Sequence, residues 1–96
     1  KIPFAEVYND ARRNVIVAMI MAANQEIPEV CLFFCDRLLR ANRAAKIDSL
    51  ALNAFDSPNF PPLAKLGVSM RYRRGLVLSP PKRPFHVHTE MDSRVV

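Results

Sequence analysis

The chain has 96 residues, half of them hydrophobic, and carries 14 Lys and Arg against 9 Asp and Glu. This length allows one small domain, which buries roughly 65% of the surface of its unfolded chain and has a thin stability margin. The longest apolar run, VIVAMIMAA at 15–23, is far shorter than the roughly 20 residues that a transmembrane helix needs. The net charge of +5 comes entirely from the residues after Pro62, because 1–62 is neutral.

A first helix is predicted from Pro3 onward, since proline is favoured in the first turn of a helix. Its second half is apolar all round, which is typical of a helix buried on several sides. The β-branched run at 15–17 leaves a short buried strand as the alternative, but the periodic segment is too long for an ordinary strand. The positions that share one face are Phe4, Tyr8, Ala11, Val15, Ala18 and Ala22.

A second helix is predicted from Pro28, after the break NQEIP. Asp36 and Arg40 stand at i and i+4 with the acid first, the favourable order on a helix. Asp48 is predicted to cap a third, short helix that ends before Ser57-Pro58. The apolar stripe of the second helix is Val30, Phe34, Leu38, Ala41 and Ala45, widened by Cys31, Cys35 and Leu39.

The remaining chain is predicted to be extended. VSMRYRR at 68–74 alternates apolar and basic residues, as in a half-buried strand, and Gly75 could turn it into a second strand at 76–78. SPPKRP at 79–84 favours polyproline conformation. The predicted fold is therefore mainly α: a small helical hairpin plus a short third helix over 1–56, then a long, extended, basic C-terminal arm over 57–96 that could form a short β-hairpin.

The helical prediction resembles one helix-hairpin unit of the pentatricopeptide and tetratricopeptide repeat class. VIVAMIMAA stands in place of a first helix, VCLFFCDRLL in place of a second, and KIDSLALNAF where the next unit would begin. The resemblance implies an antiparallel helix pair, and no RNA-reading residue is transferred from that class.

No catalytic constellation is visible in the sequence. With two glycines there is no phosphate-binding loop, and no serine lies in a nucleophile elbow. Cys31, Cys35, His86 and His88 leave a Cys2His2 zinc site as an alternative, although more than fifty residues separate the two pairs. The sequence thus predicts a protein that is not an enzyme and that has neither a cofactor nor a metal.

The basic strand and the segment after it are the predicted contact surface, for other protein subunits or for RNA. The apolar face of the strand would be buried against a hydrophobic surface, which favours a protein partner. Arg and Lys interleaved with aromatic residues would instead contact the phosphates and bases of RNA. The contact residues are predicted to be Met70, Arg71, Tyr72, Arg73, Arg74, Lys82, Arg83 and Phe85.

These observations predict a non-catalytic structural subunit of a large multisubunit assembly, whose arm staples neighbouring subunits. The alternative is a small ribosomal-type protein whose arm contacts rRNA phosphates. Both interpretations place the chain inside a mitochondrion or another organelle with a reducing interior, without a membrane span of its own, and not acting as a free monomer.

Overall fold

The structure, a computed structural model, describes residues 1–2, 5–7 and 9–95. In this part of the chain there are one helix and six short strands. A four-stranded antiparallel sheet has the order β1-β2-β5-β6, and β3 and β4 form a separate two-stranded ribbon. The prediction of a mainly helical fold is therefore wrong. The elements are α1 (Asp10–Asn24), β1 (Cys31–Phe34), β2 (Arg37–Arg40), β3 (Ala45–Lys46), β4 (Phe55–Asp56), β5 (Ala64–Leu66) and β6 (Met70–Tyr72).

Helix α1 is the predicted first helix, although it begins later than the sequence suggested. The side chain of Asn9 caps it by accepting a hydrogen bond of 2.8 Å from the backbone N–H of Arg12. Asp10 lies in the first turn, where the helix dipole favours an acid. Residues 5–7 form turns and bends. The predicted start at Pro3 and the predicted face positions Phe4 and Tyr8 lie outside the described residues.

The predicted second helix is instead the hairpin β1–β2, in which Phe34 pairs with Arg37. Its two turn residues, Cys35 and Asp36, have φ of 49° and 64°. Positive φ at both central residues is the pattern of a type I′ turn, which suits the twist of a hairpin. The sequence CLFF is apolar on both faces of a strand, and such a run also yields a helical stripe by spacing. The supposed helical pair of Asp36 with Arg40 does not form, because Asp36 binds Arg13 and Arg40 binds Glu29.

The predicted third helix is also wrong, because its place is taken by the ribbon β3–β4 and the loop between the two strands. Ala45 pairs with Asp56, and Lys46 with Phe55. Asp48 does act as a cap, but of a loop: its carboxylate accepts hydrogen bonds from the N–H groups of Leu50 and Ala51. With neither of these two helices formed, the resemblance to a helical repeat does not hold.

Strand β6 confirms the predicted alternation for Met70–Tyr72 alone, because Val68, expected on the apolar side, is fully exposed in the turn before the strand. Met70 and Tyr72 pack on the core, while Arg71 between them is exposed. Its partner is β5, reached through a tight turn in which the Gly67 N–H donates to the Ser69 carbonyl. The predicted return strand at 76–78 is wrong, because Arg74–Leu76 is a 3₁₀ turn.

The sheet is covered on both faces. On one face α1 contributes Met21 to a core with Phe33, Leu38 and Ala64. On the other face the ring of Phe55, from the ribbon, meets that of Phe34 edge-on at 5.0 Å. The pairing of β2 with β5 crosses the division at 56/57 that the sequence suggested. The body and the arm thus share one sheet.

The C-terminal residues 78–95 are exposed and contain neither helix nor strand. Among the described residues, no helix has both the length and the apolar character that crossing a membrane requires.

Candidate functional site

Arg37 ties the ribbon to the sheet. Arg37 Nη1 lies 2.9 Å from Asp56 Oδ1, and Nη2 donates to Asn53 Oδ1 and to the carbonyl oxygen of Phe55. Asp56 Oδ1 also accepts a hydrogen bond of 2.8 Å from the Ser57 N–H. This backbone donor, followed by the Arg37 guanidinium, lowers the pKa of Asp56 below its usual value. The carboxylate therefore stays ionised and acts as a brace.

Lys46 is the cation that this braced ribbon presents to solvent. Its side chain is exposed, and within the described residues its ammonium has no hydrogen-bond or ion-pair partner. Two residues further on, Asp48 accepts hydrogen bonds of 2.7 Å and 3.1 Å from the N–H groups of Leu50 and Ala51. These donors lower the pKa of Asp48. An ammonium and a hydrogen-bonded carboxylate thus stand two residues apart, where the ribbon leads into its loop.

The described residues do not assemble a nucleophile with a base. The Ser57 hydroxyl is buried and has no hydrogen-bond partner in the described part of the chain. His86 and His88 have ring centroids 4.8 Å apart but belong to the exposed C-terminal residues. The ribbon can therefore hold or polarise a substrate, but nucleophilic attack needs groups that this assembly does not supply.

A cavity of about 290 Å³ lies between α1 and the first hairpin, and Glu29 in its wall belongs to a buried ion pair. The Glu29 carboxylate accepts hydrogen bonds from Arg40, whose Nη2 is 3.2 Å away, and from the Leu78 N–H at 2.8 Å. The Arg40 hydrogen bond is the main cause of the lowered pKa of Glu29. Burial raises the pKa of the Cys31 thiol in the cavity wall, which keeps it protonated and weakly nucleophilic. The ion pair serves structure, because it ties the chain before β1 to the chain after β6.

The structure divides the predicted contact residues into two groups. Met70, Arg71 and Tyr72 form β6, and the guanidinium of Arg74 lies 4.7 Å from the centre of the Tyr72 ring. Because Met70 and Tyr72 face the chain's own core, they are not free to contact a neighbour. The exposed members are Arg71, Arg73, Arg74, Lys82, Arg83 and Phe85, for which contact with a partner stays a prediction.

The alternative zinc site is not assembled within the described residues, where no three of His, Cys, Asp and Glu come together. Cys31 is half-buried in β1, and Cys35 is exposed in the following turn.

Comparison with known proteins identifies the family. The family described as "Asparaginase, N-terminal" matches residues 1–78. The chain belongs to the asparaginase family. It is 42% identical to the L-asparaginase of Dirofilaria immitis over 99% of its length, and 45% identical to L-asparaginase 1 of Escherichia coli K12 over 74%. It is also 41% identical over 99% of its length to the 60 kDa lysophospholipases of Mus musculus and Homo sapiens.

The fold agrees with this membership. The crystal structure of L-asparaginase I from Vibrio cholerae superposes with a TM-score of 0.80 and 39% identity over 92% of the present chain. The present chain covers 27% of that structure, 16% of the Dirofilaria protein and 21% of the E. coli protein. It therefore corresponds to a segment of the α/β fold of its relatives.

Membership in a family of enzymes overturns the functional interpretation of the sequence. A non-catalytic structural subunit, a mitochondrial assembly part and a ribosomal RNA-binding protein are all wrong, as is the prediction that the chain is not an enzyme. The organelle interior and the protein or RNA partners are not tested by these comparisons and stay predictions.

Sequence reasoning missed the ribbon residues. Arg37 and Asp56 are 19 positions apart and meet only because β2 and β4 pack together. Lys46 lies between the predicted second and third helices, and no motif in the sequence marks it.

Proposed function

We propose that the chain is a segment of an amidohydrolase that releases ammonia from the side-chain amide of L-asparagine. In this reaction water adds to the amide carbon, the C–N bond breaks, and the products are aspartate and ammonia. The match of residues 1–78 to the asparaginase family carries the proposal, supported by the 0.80 TM-score against a solved L-asparaginase.

Within this segment, Lys46 is the residue proposed to face the substrate. Amide hydrolysis needs groups that stabilise developing charge and groups that move protons. Lys46 offers a free ammonium on a ribbon that Arg37 ties to β2, with the hydrogen-bonded carboxylate of Asp48 close by in the chain. Lys65 is also exposed and free in the described structure, but its cross-strand neighbours are Arg37 and Arg71. Of these two lysines, Lys46 has a carboxylate two residues away, whereas Lys65 stands between two arginines.

The second candidate is hydrolysis of a lysophospholipid ester. The mouse and human 60 kDa lysophospholipases match as much of the chain as the Dirofilaria L-asparaginase does, at nearly the same identity. Both reactions add water to a carboxyl carbon and differ in the leaving group, which is ammonia in one and an alcohol in the other.

The test uses the full-length protein that contains this chain and measures ammonia from L-asparagine and fatty acid from a lysophospholipid. We expect ammonia release. Lys46→Met should lower kcat/KM for L-asparagine by about 100-fold, the usual effect of removing one charge-stabilising group. Lys65→Met is the matched control and should leave kcat/KM unchanged.

Release of fatty acid without ammonia would select the second candidate. Equal activity of the Lys46→Met variant and the wild type would remove Lys46 from the site while leaving the reaction in place.

A further inference from the structure

The chain contains two serines that are followed by proline, and the structure places them in opposite environments. Ser57, before Pro58, is buried together with its hydroxyl oxygen. Ser79, before Pro80, is exposed and belongs to the C-terminal residues that form neither helix nor strand. An enzyme that modifies a serine must bring its reactive group to the hydroxyl oxygen. Of these two serines, Ser79 is therefore the one open to modification in the folded chain.

The residues after Ser79 fit the substrate pattern of a proline-directed protein kinase. Pro80 has no N–H, so a kinase pocket without an acceptor at this position accepts it, whereas any other residue would bury an unpaired donor. Lys82, three residues after Ser79, supplies a cation for acidic groups of the kinase. The prolines between 80 and 84 favour the extended backbone in which a cleft can bind a peptide. After Ser57, the third position is instead Phe60.

The chain directly before Ser79 is held by a set of polar contacts, the Glu29 clasp. The Glu29 carboxylate accepts hydrogen bonds from the Leu78 N–H at 2.8 Å and from Arg40. Arg40 Nη2 also donates to the Leu76 carbonyl oxygen at 2.8 Å. The clasp ties the chain after β6 to the chain before β1. The Glu29 side chain is 3% exposed, so its charge is poorly screened by water.

We propose that Ser79 is phosphorylated by a proline-directed protein kinase and that the phosphate loosens the Glu29 clasp. In the transfer, the Ser79 hydroxyl oxygen bonds to the γ-phosphorus of ATP while the bond from this phosphorus to the β–γ bridging oxygen breaks. ADP leaves, and the hydroxyl proton passes to the catalytic aspartate of the kinase. The inference does not depend on which reaction the protein itself catalyses.

The phosphate acts on the clasp through its charge, which is about −1.5 to −2 at pH 7. It repels the Glu29 carboxylate, which holds the N–H of the preceding residue, and it attracts the Arg40 guanidinium away from that carboxylate. Lys82 and Arg83 are exposed, so their attraction to the phosphate is weakened by solvent. The repulsion from the buried carboxylate is screened less and therefore decides the outcome.

The test uses the full-length protein that contains this chain, incubated with ATP and a cyclin-dependent kinase as the proline-directed probe. Peptide mass spectrometry should find phosphate on Ser79 and none on Ser57. Ser79→Ala should abolish this phosphate, whereas Ser57→Ala should not. Pro80→Ala should slow the modification at least about tenfold, because alanine brings an N–H that the kinase pocket leaves unpaired.

Hydrogen exchange of the phosphorylated protein measures the effect on the clasp. The Leu78 amide should exchange at least about tenfold faster than without phosphate. The Leu63 amide, which donates to the Leu38 carbonyl oxygen at 2.8 Å, is the internal control and should not change. Glu29→Gln removes the charge but keeps an acceptor oxygen, so phosphorylation of this variant should speed Leu78 exchange less than about threefold. Protection of the Leu63 amide also shows that the variant is folded.

The inference is overturned if Ser79 stays unmodified, if Ser57 is modified equally in the folded protein, or if phosphate on Ser79 leaves Leu78 exchange unchanged. Equal acceleration at Leu78 and Leu63 would overturn it as well, because it would indicate general unfolding and not a loosened clasp.

Discussion

The two hairpins of the four-stranded sheet are built by different rules. Hairpin β1–β2 joins the apolar strand CLFF through a two-residue turn to RLLR, whose two leucines are flanked by ion-paired arginines, and the strand residues are buried or half-buried on both faces. Hairpin β5–β6 has one apolar face and one exposed, basic face, on which Lys65 stands opposite Arg71. The first is therefore an interior element, and the second is a surface element that finishes the sheet.

The two hairpins also differ in the contacts that they make with the rest of the chain. Arg40, at the end of β2, binds Glu29 and the carbonyl oxygen of Leu76, and it stacks on Phe60 at 4.3 Å. The like charges of Lys65 and Arg71 contribute no such link, since opposed like charges in a sheet are mildly destabilising. Stability should therefore be concentrated in the first hairpin.

Removing a leucine side chain from each hairpin should reveal the largest difference between them in the free energy of unfolding. Leu39 in β2 is fully buried, so Leu39→Ala is expected to lower the free energy of unfolding by about 2–5 kcal/mol. The matched variant Leu66→Ala in β5 removes a half-buried leucine and should cost less. Urea denaturation followed by circular dichroism measures both. Equal losses would show that the hairpins are equally important to stability.

Acid should weaken the anchor of the first hairpin. The pKa of Glu29 is lower in the folded chain than its ordinary value of 4.5, mainly because Arg40 donates to the carboxylate. Ionised Glu29 therefore stabilises the fold above pH 4.5, and this contribution is lost as pH falls through the lowered pKa. Glu29→Gln should destabilise the chain at pH 7 and make its loss of stability below pH 4.5 shallower.

Thermal unfolding between pH 3 and pH 7 tests this expectation. Glu90→Gln, in the exposed C-terminal residues, is the control and should follow the wild-type curve. An identical pH dependence in Glu29→Gln and wild type would contradict the assigned role of the ion pair.

Introducing a glycine in the β1–β2 turn and removing one from the β5–β6 turn should both stabilise the folded chain. Cys35 has φ of 49°, which costs most L-residues about 1–2 kcal/mol, so Cys35→Gly should raise stability by about 0.5–1 kcal/mol. Gly67 does not have positive φ, and a Cβ there would meet the Ser69 oxygen at an ordinary 3.9 Å. Gly67→Ala should therefore stabilise by about 0.4–1 kcal/mol by restricting the unfolded chain.

A β-branched substitution at Cys35 supplies the control for the first turn. Cys35→Val should destabilise, because a β-branched side chain resists the left-handed region. If Cys35→Val proved neutral, the turn would not require positive φ.

The difference between the two hairpins also explains which parts of the fold can be predicted from the sequence. Helix α1 has caps and a long periodic pattern, and β6 has a strict alternation, so both are recognisable. The apolar run in β1 fits a helical stripe as well as a strand, and the turn after it lacks the Asn-Gly or Gly-Gly signal that marks a hairpin. The hairpin forms because both of its faces are buried by other parts of the chain, and the spacing of residues within the segment does not reveal that burial.

The functional prediction failed for a separate reason. The absence of a nucleophile–base pair in the sequence suggested a protein without catalysis. The chain is instead comparable to about a fifth of its E. coli relative, and a segment need not carry a complete active site. The contact between Arg37 and Asp56 could not be predicted either, because no local sequence pattern shows that β2 and β4 pack together.

The position of the ribbon has a consequence for the order of folding. Each hairpin of the main sheet is local and can close in about 1–10 μs, but β2 can meet β5 only by enclosing the whole β3–β4 ribbon. Such long-range closure is entropically costly and sets the pace of β-rich chains. By clamping the ribbon onto β2, Arg37 shortens the loop that remains to be closed. We therefore expect Arg37 to speed the union of the two hairpins as well as to stabilise its result.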